Sequence, residues 1–177
     1  GFFKLASGPK QWRELYEGDS RCRLFLWLVV GTIPTILVAL LFKDYVEQAF
    51  RSTKLVGGTL ILTGLILFLA DRAAGKGAAQ EQTLWDALWV GIGQAVAILP
   101  GISRSGTTIA FGLARGLGRE QAARFSFLLS IPSILGALVY SLPDLAGGGA
   151  PASPGVLLAG MAAAGLTGYL AIRMLLS

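Results

Sequence analysis

The chain has 177 residues, of which 54% are hydrophobic and only 14% charged, and its mean hydropathy is +0.65. Soluble domains carry about 25% charged residues, so this composition argues against a soluble globular domain, a disordered chain and a fibrous repeat. The net charge is +5, but the basic residues are dispersed and do not form a nucleic-acid-binding face. The composition predicts an all-α, multi-pass integral membrane protein whose partner is the lipid bilayer, with no nucleic acid.

Two residue types limit the possible chemistry. Histidine is absent from the sequence, and Cys22 is its single cysteine. An intrachain disulfide and a cysteine metal cluster are therefore impossible. Any histidine-based catalysis would have to come from another segment or another polypeptide, and no metal site is predicted from the residues themselves.

Four uncharged stretches are the primary signal for membrane spans, since a helix needs about 20 mostly apolar residues to cross a bilayer. We expect them to belong to one membrane domain over residues 1–177. The predicted spans are residues 24–42, 55–70, 125–143 and 155–172.

A fifth apolar region, residues 85–116, has a different pattern, because Arg104 lies inside it with apolar sequence on both sides. Such an arginine cannot be an ordinary loop residue. Non-helical backbone at membrane depth is tolerated only where it packs in protein or lines a wet cavity. We therefore predict a re-entrant or broken helix pair, with one helix over residues 85–99, a turn at 100–104 and a second helix from about Ser105.

The turn carries the segment PGISRSGTT, residues 100–108, which holds four hydroxyls, one guanidinium and two glycines. Glycines let the backbone turn and approach a ligand. Hydroxyls and the free amides of a helix N-terminus can donate to phosphoryl oxygens, and a guanidinium grips phosphate with two bonds. We interpret the segment as an anion cradle. Its predicted phosphate-binding residues are Gly101, Ser103, Arg104, Ser105, Gly106, Thr107 and Thr108.

Other interpretations remain open at this point. Packing alone would explain the hydroxyls, although an intramembrane arginine indicates function. Gln94 is either an interhelical hydrogen-bonding residue or a second contact to the ligand. Broken helices also hold anions in transporters, so an anion or lipid-phosphate transporter or binding protein is the alternative, and a scaffold in which Arg104 merely pairs with Asp86 or Gln94 is the third. Three further arginines are predicted to be interfacial anchors: Arg115, Arg119 and Arg124.

The segment PGISRSGTT resembles the PGxSRSxxT signature of the undecaprenyl-diphosphate phosphatase family, also called bacitracin-resistance proteins. Residues 86–99 (DALWVGIGQAVAIL) and 119–132 (REQAARFSFLLSIP) are similar to the family's stretches before and after this motif. Residues 24–42, with their GxIP element, match in order. Essentially the whole chain can be placed on the family.

The resemblance implies a fold of two inverted repeats, each with a re-entrant helix pair, of which this chain holds about half. It implies hydrolysis of undecaprenyl diphosphate to undecaprenyl phosphate and inorganic phosphate in the bacterial inner membrane, where the reaction recycles the carrier lipid of cell-wall synthesis and confers antibiotic resistance. It gives Ser103, Arg104 and Thr108 catalytic positions. It also suggests a divalent cation, Mg²⁺ or Ca²⁺, as cofactor.

The chain departs from the family pattern in one respect. The family's other motif contains two glutamates, a serine and a histidine, and the absence of histidine means that it has no counterpart here. A final transmembrane helix is also expected to be missing. The chain is therefore expected to be a fragment that supplies the phosphate-binding half of the site and does not turn over substrate alone.

Overall fold

A computed structural model describes residues 20–73, 82–146 and 153–176, and these residues form helices and turns, without strands. The all-α prediction is confirmed. In chain order the helices are α1 (Ser20–Leu41), α2 (Lys43–Phe50), α3 (Thr53–Ala73), α4 (Leu84–Val96), α5 (Arg104–Ala114), α6 (Arg119–Ala146) and α7 (Pro154–Leu176).

Four of these helices are long and apolar enough to cross a membrane. In none of them is more than 17% of the most apolar stretch buried, so their side chains face outward, as expected for helices that border lipid. The chain is a multi-pass membrane protein. The candidate spans are Cys22–Leu41, Thr53–Arg72, Arg119–Leu142 and Pro154–Met174.

The largest difference from the predicted spans is in α6, which was expected over residues 125–143 and extends beyond both of these limits. The helix also continues through Pro132, which lacks a backbone N–H. Side chains bind carbonyls near this position, since the Ser130 hydroxyl donates to Phe127 O and the Ser133 hydroxyl to Leu129 O. The carbonyl that loses its amide partner to Pro132 is that of Leu128, between these two, and membrane helices tolerate proline where nearby groups satisfy the freed backbone.

Helices α4 and α5 form the broken pair. They have 13 and 11 residues, which is too short for a full span. Helix α4 ends at Val96, earlier than expected, because the amides of Ile98 and Leu99 bond to carbonyls three residues back and tighten the chain into turns. A capping box between Thr83 and Asp86 begins α4.

Small residues let α1 approach α4 closely. A Cβ added at Gly91 would collide with the backbone of Gly31, so glycine is required at this crossing. Beside it, four residues of α4 and α6 form a buried apolar cluster: Ala87, Val90, Phe125 and Leu129.

The described chain divides into two compact units, with the boundary inside α6 after Gly136. The second unit contains the remainder of α6 and all of α7. All of the site residues discussed below belong to the first unit. The grouping of residues 1–177 into one membrane domain stays a prediction.

Candidate functional site

Two threonines of α3 hold the turn that carries the motif. The Thr59 hydroxyl donates to Pro100 O at 2.5 Å. The Thr63 hydroxyl donates to Gly101 O at 3.0 Å and accepts from the Ser103 amide at 3.2 Å. Gly101 has a φ of 88°, and a Cβ there would collide with the Thr59 hydroxyl, so this position requires glycine.

Helix α5 begins directly after this turn, and Ser103 is its N-cap. The Ser103 hydroxyl accepts from the Gly106 amide at 3.2 Å, and the Ser103 carbonyl accepts from the Thr107 amide. The amides of Arg104 and Ser105 thereby lie at the open end of the helix, where the helix dipole favours an anion. The structure places the predicted cradle at a helix N-terminus.

The Arg104 guanidinium is fixed from one side. Its Nε and Nη2 both donate to Gln94 Oε1, at 3.0 and 2.8 Å, and Nη2 also approaches the carbonyl oxygens of Leu129 and Ser130, at 3.5 and 3.3 Å. In the described part of the chain Arg104 has no carboxylate partner. Its positive charge is therefore positioned by neutral acceptors and remains available to an anion.

Gln94 is buried, with 2% of its surface exposed, and both ends of its amide are bonded. Besides accepting from Arg104, it donates through Nε2 to the hydroxyls of Thr35 at 3.0 Å and Ser133 at 2.8 Å. Helices α1, α4 and α6 therefore fix the amide, and the amide fixes the arginine. Of the two interpretations left open for Gln94, the structure supports an interhelical residue that positions Arg104.

The remaining motif residues divide between an open and a buried side of α5. Ser105 is exposed, and Ser103 is half-buried beside it. Thr107 and Thr108 are each 1% exposed. The Thr108 hydroxyl lies 2.6 Å from the Ser126 hydroxyl and donates to Arg104 O at 2.8 Å, whereas the Thr107 hydroxyl has no partner among the described residues.

Several residues of the site were not predicted. Each has a hydroxyl inside an apolar helix, which the sequence alone does not distinguish from a hydroxyl bonded to its own helix. Helical spacing is the signal that could have indicated shared faces, at Thr59 and Thr63 on α3 and at Ser126 and Ser133 on α6. The residues missed are Thr35, Thr59, Thr63, Ser126 and Ser133.

No group of three or more Cys, Asp or Glu side chains is placed to hold a metal within residues 20–73, 82–146 and 153–176. The Mg²⁺ or Ca²⁺ suggested by the family resemblance stays a prediction.

An ion pair joins α4 and α5 at the end of the broken pair that lies away from the turn. Arg115 Nε donates to Asp86 Oδ1 at 2.8 Å, which joins the end of α5 to the start of α4, and Arg119 pairs with Asp71 at 2.7 Å. Burial raises the pKa of Asp86, but hydrogen bonds from Thr83 and Arg115 and the charge of Arg115 outweigh this effect, so that its pKa lies below the ordinary value of 3.8. Asp86 is thus committed to Arg115 and is not a partner of Arg104.

The fold and the site together define a multi-pass membrane protein in which an arginine lies at the start of the second helix of a broken pair and is held by neutral acceptors. The chain belongs to the bacitracin resistance protein BacA family, whose model matches residues 2–177. The predicted family membership is confirmed.

Curated relatives of this chain are named undecaprenyl-diphosphatase. The relative from Methanosphaera stadtmanae is 47% identical over 166 residues, which cover 93% of this chain and 59% of the relative. The relative from Carboxydothermus hydrogenoformans is 47% identical over 159 residues, or 87% and 60% of the two chains. The chain therefore spans about three fifths of the length of these relatives. The relative from Methanothermobacter thermautotrophicus is 44% identical, with 84% of both chains covered.

Proposed function

We propose that this chain supplies the phosphate-binding half of a site that hydrolyses undecaprenyl diphosphate to undecaprenyl phosphate and inorganic phosphate. The observation that carries the proposal is the Arg104 guanidinium, held by Gln94 at the open end of α5 without a carboxylate partner in the described residues. The names of the relatives support the substrate. The proposed location is the bacterial inner membrane, and the proposed role is recycling of the carrier lipid for cell-wall synthesis.

The cradle would act by neutralising charge. Arg104, the first amides of α5 and the hydroxyls of Ser103 and Ser105 would bind the oxygens of the terminal phosphoryl group. As a nucleophile forms its bond to phosphorus and the bond to the bridging oxygen breaks, negative charge spreads over these oxygens and the leaving group. Preorganised donors stabilise such charge, and this is usually the largest contribution to catalysis.

The described residues provide binding groups and no evident general acid or base. No described carboxylate is hydrogen-bonded to a cradle residue, and the sequence contains no histidine. We propose that the nucleophile and the acid–base group lie outside the described residues. Thr108 was predicted to be catalytic from the family resemblance, and its burial against Ser126 supports a role in placing the Arg104 backbone.

An apolar groove next to the cradle suits the lipid part of the substrate. It has a volume of about 490 Å³, and Ile98 and Leu99, which directly precede Pro100, form part of its wall. We propose that the first isoprene units of the polyprenyl chain lie there. The remaining lining residues come from α1, α2 and α4: Pro34, Leu37, Val38, Phe42, Tyr45, Val46, Ile92, Ala95 and Val96.

The other two interpretations are less well supported. The transporter alternative is not favoured, because the relatives are named for a hydrolase. The scaffold interpretation requires that Asp86 or Gln94 pair with Arg104 and leave it without a functional role. Gln94 does bind it, but an amide does not neutralise a guanidinium, and Asp86 pairs with Arg115.

Binding and phosphate release by the purified full chain in lipid nanodiscs test the proposal. The probes are a polyprenyl diphosphate, its methylene-bridged analogue, which cannot be hydrolysed, and the parent polyprenol. We expect the analogue to bind much more tightly than the polyprenol, and the chain alone to release no phosphate from the diphosphate. Equal affinity for analogue and polyprenol would contradict the phosphate-binding role, and rapid phosphate release would contradict the division of the site.

A further inference from the structure

A second cavity, of about 440 Å³, lies against α1 and α6 and shares no lining residue with the cradle. We call it the α1–α6 cavity. Trp27 and Arg124, which line it, both lie within the first two turns of membrane-spanning stretches, Cys22–Leu41 and Arg119–Leu142. The cavity is therefore at one edge of the membrane region. Its walls are polar at Trp27, Gln82, Gln121 and Arg124 and apolar at Leu24, Phe125 and Leu128.

The polar groups at this cavity include buried N–H donors that lack acceptors. Trp27 Nε1 and Gln82 Nε2 are buried and have no hydrogen-bond partner in the part of the chain that the structure describes, and Gln82 as a whole is only 9% exposed. Arg23 lies one turn before Trp27 on the same face of α1, and its Nε is likewise buried without a partner. Because a buried donor without an acceptor is costly, these groups call for a ligand rich in acceptor oxygens.

The charge at the cavity has the same implication. Arg124 lines the cavity, Arg23 lies one turn before Trp27 on α1, and neither arginine forms an ion pair within the described residues. The ion pairs at this end of the molecule join other residues, Arg115 to Asp86 and Arg119 to Asp71. Hydrogen-bond donors and the positive charge of Arg124 therefore lie at this cavity, and none of its described lining residues is acidic.

We propose that the α1–α6 cavity is a second phosphate-binding site, separate from the cradle, that takes the phosphate group of an anionic ligand. The same chemistry is offered by the headgroup of an anionic phospholipid and by free inorganic phosphate. Basic pockets between membrane helices bind anionic headgroups, and tryptophan is enriched at the membrane–water interface. The walls formed by Leu24, Phe125 and Leu128 would pack along an acyl chain.

The test uses the full chain purified in detergent and titrated separately with phosphatidylglycerol, phosphatidylcholine and sodium phosphate. Dissociation constants come from native mass spectrometry for the lipids and from thermal melting for all three. We expect phosphatidylglycerol to bind in preference to phosphatidylcholine, whose choline cation is repelled by the two arginines. Trp27→Phe keeps the ring but loses the N–H, and should weaken binding about tenfold, as expected for one lost hydrogen bond to an anion.

Matched controls locate the effect. Trp85 is 67% exposed on α4 and lines neither cavity, so Trp85→Phe should bind like the unmodified chain. Arg124→Gln, at an exposed position, should weaken binding, whereas Arg51→Gln, at the end of α2, should not. Because Arg124 is exposed, its replacement should not prevent folding. The comparison of Arg124→Gln with Arg51→Gln therefore decides the test even if Trp27→Phe does not fold.

The probes also distinguish the two sources of phosphate. Binding of phosphatidylglycerol alone that is sensitive to Trp27 and Arg124 identifies a lipid headgroup as the ligand. Sodium phosphate that binds with the same sensitivity identifies the free anion. The proposal is overturned if neither probe binds, if phosphatidylcholine binds equally well, or if Arg124→Gln binds like Arg51→Gln.

Discussion

Arg104 is the residue whose environment best explains the site. A charged side chain at membrane depth costs at least about 2.5–3.5 kcal/mol on insertion scales, and the protein offsets this with Gln94 Oε1 and carbonyl oxygens near Pro132. All of these acceptors are neutral. The arrangement orients a planar guanidinium without cancelling its charge, which is what an anion site requires and what a structural ion pair would not provide.

Replacement of Gln94 tests whether this neutrality matters. Gln94→Glu places a carboxylate where the amide now accepts from Arg104, so the pair should stay folded while its net charge falls to zero. We expect the affinity for the methylene-bridged diphosphate to fall about tenfold or more, because the ligand then competes with an internal anion. Gln94→Leu should instead lower the free energy of unfolding by about 1–3 kcal/mol, since several buried groups lose partners. Undiminished diphosphate affinity in Gln94→Glu would contradict the claim that the partner of Arg104 must be neutral.

The contact between Gln94 and Arg104 could not be predicted from the sequence. The two residues are ten positions apart, and their approach depends on where α4 ends and how the turn folds back. The hydropathy pattern placed that end at residue 99, whereas the helix stops at Val96. The nature of the motif was predictable, because an arginine among hydroxyls and glycines in an apolar stretch has few other uses.

At the scale of elements, hydrogen bonds hold the α4–α5 pair at its turn, and an ion pair holds it at the other end. The turn is bound to α3 through Thr59 and Thr63, and the Asp86–Arg115 ion pair joins the start of α4 to the end of α5, away from the turn. The long helices were predictable, because a stretch of about 20 apolar residues indicates a membrane-spanning helix without any knowledge of the tertiary structure. The hydrogen bonds from α3 to the turn were not predictable, because they depend on which helix lies beside the turn.

Removal of the two α3 hydroxyls should loosen the turn. The double variant Thr59→Val and Thr63→Val keeps the side-chain shapes but leaves Pro100 O, Gly101 O and the Ser103 amide without their partners. We expect a loss of about 1–3 kcal/mol in the free energy of unfolding, together with weaker binding of the diphosphate analogue. Thr167→Val, at an exposed position of α7, is the matched control. Equal melting temperatures and affinities for double variant and control would show that α3 does not support the cradle.

The ion pair between Asp86 and Arg115 predicts that the stability of the protein depends on pH. The pKa of folded Asp86 is below its ordinary value of 3.8, so its ionised form stabilises the fold above that pH, and the stabilisation is lost as the pH falls through the lower, folded value. The difference in melting temperature between the unmodified chain and Asp86→Asn should be constant from pH 7 to about pH 5 and shrink below pH 4. A difference that grows on acidification would contradict the assigned shift.

At the scale of the whole molecule, the described residues contain four apolar helices long enough to cross a membrane and one pair of helices too short to do so. The sequence predicted which helices are long and which are short, because the length of each apolar stretch and the positions of glycine and proline are local features of the sequence. The inverted repeat that the family resemblance implies concerns a larger arrangement than these residues contain, and it stays a prediction.

A short helix pair implies that the cradle is reached from one side of the membrane. Cysteines placed at Ser103 and Ser105, in a Cys22→Ser background, should react with a membrane-impermeant thiol reagent from a single face of sealed vesicles. The diphosphate analogue should slow this labelling. Thr107→Cys, at a buried position of the same helix, is the unreactive control. Equal labelling from both faces would mean that the segment is not re-entrant.

The affinity of the Arg104→Lys chain for the methylene-bridged polyprenyl diphosphate tests the central claim most directly. Lysine keeps the charge but loses the planar fork that Gln94 orients, and Arg51→Lys, at the exposed end of α2, controls for the exchange itself. We predict that Arg104→Lys binds about 10- to 100-fold more weakly, as expected for the loss of a charge-assisted bidentate contact, and that Arg51→Lys binds normally. Equal affinity in both variants would contradict the claim that Arg104 is the centre of a phosphate-binding site.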